Sequence, residues 1–76
     1  MHLEVNHVSL APGGALSLAP GEHEQVLIVL RGDLTPRGTD KEPLTEGGVD
    51  FLEPGDALTL RAERDGAILV RAVATS

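Results

Sequence analysis

Gly21-Glu22-His23-Glu24-Gln25-Val26-Leu27-Ile28-Val29-Leu30-Arg31-Gly32-Asp33 decides the reading of this chain. Five apolar residues run unbroken from Val26 to Leu30, three of them β-branched, between glycines at 21 and 32. A short β-branched run bounded by turn residues is a strand buried on both faces, and its length is too small for a buried helix. The expected strand covers roughly 24–31 and ends at Gly32-Asp33. A polar trio, His23, Glu24 and Gln25, stands at its entrance, where a pocket mouth is expected.

The flanks extend the pattern. Leu3 and Val5 share one alternation and Val8 and Leu10 the other, which predicts a strand over 2–10 with a bulge at Asn6-His7. Pro12-Gly13-Gly14 is a turn, and Leu16 and Leu18 mark a second short strand. Residues 34–45 are the least apolar segment and are expected to form a ragged exposed hairpin. Val49 to Leu52 is a brief strand, and Glu53-Pro54-Gly55-Asp56 carries the residues of a type II turn. Leu58 and Leu60 alternate with Thr59 and Arg61. Arg64-Asp65-Gly66 then predicts a tight hairpin into a last strand, 67–74, apolar on both faces apart from Arg71. No apolar residue recurs with helical period. The chain therefore reads as one all-β domain over residues 1–76, a small antiparallel barrel or sandwich whose interior is lined by Leu16, Leu18, Leu27, Val29, Leu58 and Leu60.

Composition removes several classes of function. There is no cysteine in the 76 residues, so disulfides and thiolate metal sites are excluded. Phe51 is the one aromatic ring, which leaves nothing on which bases could stack. Twelve acidic residues against six basic give a net charge of −6, which repels a phosphate backbone and argues against nucleic acid as a partner. No 18-residue apolar span predicts a membrane helix, and no basic-then-apolar leader is visible, so a cytoplasmic protein is expected.

Two stretches resemble the cupins, the small conserved β-barrels. Gly13, five residues, the segment 19–25, six residues and Gly32 reproduce the glycine frame of the first cupin motif, with Gln25 at its Glu/Gln position. Gly47, Pro54 and Gly55 hold the frame of the second, with Glu53 where that motif has proline. The resemblance implies a jelly-roll barrel. In that family two histidines, a Glu or Gln and a third histidine bind a divalent metal; the matching positions here are Ala19, Gly21, Gln25 and Leu58. Three of the four ligands are replaced, so neither a metal nor another cofactor is expected.

Phase along the central strand assigns the rest. With Gln25 inward, Leu27 and Val29 also face in, and Val26, Ile28 and Leu30 face out. On that phase His23, Gln25 and Arg31 are the candidate ligand-binding residues, for a small apolar or weakly polar molecule. The outer row of Val26, Ile28 and Leu30 needs a cover, and a second copy of the chain is the simplest one, which predicts a homodimer. No catalytic residue is assigned. The alternative is a cupin-type enzyme, either a metal-independent isomerase acting through His23 or a metal-dependent oxygenase with rearranged ligands.

Overall fold

The structure, a computed structural model, describes residues 2–75. It contains five strands, β1 (His2–Leu10), β2 (Ala15–Leu18), β3 (Gln25–Arg37), β4 (Val49–Leu52) and β5 (Leu58–Thr75). Every pairing is antiparallel, in the order β1-β5-β3-β4, with β2 also paired to β5. Among the described residues no helix is long and apolar enough to cross a membrane.

The spine is the β3–β5 ribbon. Residues 67–75 of β5 pair with β1 on one side and with the first half of β3 on the other. Residues 58–61 pair with β2 and with residues 35–37 of β3. Leu34, Leu58 and Leu60 from one half of the ribbon and Leu27, Val29 and Leu69 from the other join a single core cluster. The ribbon therefore bends over its own core, and each long strand contributes to both walls. An inward row of leucines and valines with period two is what permits this, because each wall presents one continuous apolar face.

The bend has a covalent cause. The register of β3 against β5 shifts between Val29 and Arg31 and again between Gly32 and Leu34. Leu30 is the extra residue of the first bulge. At the second, Asp33 alone faces the four residues between Ala62 and Ala67. Gly32 and Gly66 both adopt positive φ, 84° and 75°, and meet there. A Cβ on Gly32 would lie 2.2 Å from the Gly66 carbonyl oxygen, and one on Gly66 would lie 2.6 Å from that of Leu10. Only glycine permits this approach of three chain segments.

Several expectations are corrected here. Gly32-Asp33 does not end the central strand, which continues to Arg37. Arg64-Asp65-Gly66 does not reverse the chain; β5 runs through it as one 18-residue strand. Both hairpin and bulge use a glycine at positive φ, and here β3 supplies the matching glycine that makes a bulge. The bulge expected at Asn6-His7 is absent, since β1 pairs with β5 in unbroken register from His2 to Leu10. Its two apolar sets simply lie on opposite faces: Val8 and Leu10 pack on the core, while Leu3 and Val5 are 58% and 57% exposed. The ragged hairpin expected over 34–45 does not form: 34–37 belong to β3 and pair with β5, and within the segment only Leu34 and Leu44 bridge, with two backbone bonds of 2.8 Å.

Other readings agree with the structure. Leu18, Leu27, Val29, Leu58 and Leu60 are buried, with Leu16 half-buried against them. Asp56 N–H donates to the Glu53 carbonyl at 3.1 Å, and Gly55 has φ of 88°, as a type II turn requires.

Candidate functional site: a cleft floored by Gln25 and Arg71

β1 and β2 pair with different halves of β5 and not with each other. Between them lies a cleft of about 640 Å³, bordered by residues 6–8 of β1, 16–18 of β2 and the connection 19–21. Its floor is Gln25 and Arg71.

Strand phase places both floor residues. Gln25 opens β3 on the inward face with Leu27 and Val29 and is 4% exposed. Arg71 lies between Leu69 and Val73 on the inward face of β5. Its direct partners are Asn6 on β1 and Leu27 on β3, which leaves Gln25, paired with Val73, as its diagonal neighbour. The Arg71 Nε–H donates to Gln25 Oε1 at 2.6 Å. This is a charge-assisted bond in a part-buried setting, where such bonds are strongest.

Among the described residues no carboxylate forms an ion pair with the guanidinium. Lys41 and Asp50 form an ion pair, 3.1 Å apart, but at the β4 edge and away from the cleft. Glu4, the only acid of β1, instead accepts a long bond of 3.4 Å from Asn6 Nδ2. Two further polar residues border the cleft: Ser17, whose Oγ lies 3.3 Å from Thr59 Oγ1, and His7, which is exposed and belongs by register to the outer face. Val8, Leu16, Leu18, Ala19 and Pro20 make the rest of the wall apolar.

The sequence-derived candidates separate. Gln25 lies in the cleft. His23 is half-buried but does not border it, because it sits in a bend before β3 begins and the period of two does not extend to it. Arg31 is exposed, because the bulge at Leu30 breaks the phase that pointed it inward. Arg71 is the floor residue to which alternation assigns no face; its signal is being the one charge in the otherwise apolar segment 67–74. Of the positions matched to cupin ligands, Ala19 and Gly21 border the cleft beside Gln25, while Leu58 is buried in the core. Among the described residues no three His, Asp or Glu side chains gather as a metal site would require.

The outer face of the same sheet is also apolar. Val5, Ala72, Val26 and Phe51 stand side by side across β1, β5, β3 and β4, and His7, Val70, Ile28 and Val49 form the next row. Val5, Val49 and Phe51 are 57%, 48% and 57% exposed, while Val26 and Ile28 are half-buried by these neighbours.

No protein-family model and no curated protein matches the chain. Solved structures do. An RmlC-like cupin from Shewanella frigidimarina superposes with a TM-score of 0.82 at 22% identity, covering 97% of this chain and 67% of its own. The Cupin_2 domain of an XRE-family transcriptional regulator from Enterobacter cloacae gives 0.81 at 13% identity, over 97% and 82%. A protein of unknown function from Rhizobium leguminosarum bv. viciae gives 0.77 at 25% identity, over 97% and 71%. At these identities the likeness speaks for architecture, and it agrees with the strand order and the glycine frame: the chain has the fold of the small cupins.

Proposed function

We propose that this chain is a metal-free, non-catalytic cupin-fold module that binds a small molecule in the cleft and acts as a homodimer. The observation that carries the reading is the bond between Arg71 and Gln25. Gln25 is the one cupin ligand position that retains an oxygen donor, and that oxygen accepts from a guanidinium at 2.6 Å. A divalent ion seated on it would face a fixed positive charge with no thiolate, imidazole or carboxylate from the matching positions to offset the repulsion. The donor set at these positions does not fit a metal, and its one retained oxygen is engaged by an arginine.

Support for association without chemistry comes from the cleft walls. Val8, Leu16, Leu18, Ala19 and Pro20 give them an apolar part beside the polar groups of the floor, and His23, the acid–base candidate of the enzyme alternative, lies outside them. Small-molecule sites have this make-up, apolar walls with a few convergent polar groups. The homodimer is supported by the outer face, whose apolar rows cross four strands.

The test is metal dependence of the protein purified without an affinity tag. Elemental analysis is expected to find far less than one transition metal per chain, and a chelator to leave the melting temperature unchanged. A stoichiometric metal whose removal unfolds the protein would overturn the reading.

A further inference from the structure

We propose that the ligand of the cleft is a monocarboxylate with a short aliphatic body, its carboxylate held end-on by the two Nη groups of Arg71; this rests on the reading of the chain as a binding module. Gln25 accepts the Nε–H and so fixes the plane of the guanidinium. The side-on edge, Nε with one Nη, is thereby taken. Among the described residues no protein acceptor engages the Nη donors, and they remain as a parallel pair whose geometry matches the two oxygens of a carboxylate.

Charge selects the ligand class. The chain carries twelve acids, yet none stands within ion-pair distance of this half-buried cation among the described residues. A part-buried charge without a counter-ion is costly, and an anionic ligand removes that cost on binding. One guanidinium balances one negative charge. No lysine or second arginine borders the cleft, and His7, the one other basic residue at its edge, stands exposed in the outer-face row with Val70 and Ile28, so a dianion would leave a charge unmatched in the cleft. Those walls, Val8, Leu16, Leu18, Ala19 and Pro20, suit a hydrocarbon body, and about 640 Å³ is within the range of small-molecule sites.

The experiment is a titration of the untagged protein at low ionic strength, followed by the NMR signals of the Arg71 Nε–H and the Gln25 side-chain amide. The probes are hexanoate, its neutral isostere hexanamide, and inorganic phosphate. Hexanoate is expected to shift both signals and to bind at least about ten-fold more tightly than hexanamide. Arg71→Gln should abolish that difference, Arg71→Lys should keep part of it, and Arg61→Gln, an exposed control, should change nothing. If the Arg71 variants fail to fold, suppression of hexanoate but not hexanamide binding by added chloride decides the point. Equal binding of acid and amide would overturn the carboxylate while leaving the binding module standing. Tighter binding of phosphate than of hexanoate would overturn the monoanion. Failure of every probe to move either signal at about 10 mM, a concentration that detects even very weak affinity, would overturn the inference and count against the binding module too.

Discussion

Gln25 and Arg71 are stable together and costly apart. A buried amide is satisfied here by the guanidinium, and the guanidinium's Nε–H is satisfied by the amide. Gln25→Leu therefore removes the acceptor and leaves a half-buried charge with one fewer partner. The expected loss is about 1–3 kcal/mol by urea denaturation. Adding Arg71→Met to Gln25→Leu should recover most of that loss, because the pair is then replaced by apolar groups of similar size. Independent, additive losses would mean that the two residues do not act as a unit. The inward phase of Gln25, Leu27 and Val29 is readable from the sequence, because those residues precede any irregularity. The outward position of Arg31 is not readable, because one extra residue at Leu30 inverts the alternation beyond it. Arg71 is hidden for a different reason. The segment 67–74 is apolar on both faces apart from Arg71 itself, so alternation assigns no phase, and only pairing with Asn6 and Leu27 does.

The β3–β5 corner shows how local signals mislead between elements. Asp65-Gly66 is a strong hairpin signal, yet hairpins and bulges ask the same of glycine, a positive φ. What decides is the partner strand, which places Gly32 against Gly66 at a separation that excludes a Cβ. Gly32→Ala should accordingly cost about 3 kcal/mol or more, through backbone strain and a clash that flexible side chains cannot relieve. Gly38 also has positive φ, 71°, but a Cβ there meets nothing within 4 Å. Gly38→Ala should cost only about 1–2 kcal/mol. Equal costs measured by thermal or urea unfolding would place the bend elsewhere. By contrast, β4 and the turn after it are legible residue for residue, because Pro54 and Gly55 dictate the local geometry without outside help.

At the scale of the whole molecule, the glycine frame makes the barrel visible in the sequence, and the likeness to solved cupins agrees with it. The extent of the outer apolar face is less visible. The central strand alone predicts a cover over Val26, Ile28 and Leu30. Unbroken register in β1 adds Leu3 and Val5, and β4 adds Val49 and Phe51, all exposed in the single chain. A stable two-fold interface removes about 800 Å² per partner, roughly a sixth of the 4806 Å² exposed here. A face crossing four strands is the natural place for the proposed interface, which would add stability to a 76-residue core. Phe51 is the discriminating residue: it lies on this face and outside the core, so Phe51→Asp should dissociate the pair without removing a core contact. Native mass spectrometry of the untagged chain at micromolar concentration bears on both halves of the proposal at once. The expected spectrum is a species of twice the 8.0 kDa chain mass with no added metal, converted to the single-chain mass by Phe51→Asp. A metal-bearing species, or a metal-free single chain that Phe51→Asp leaves unchanged, would contradict it.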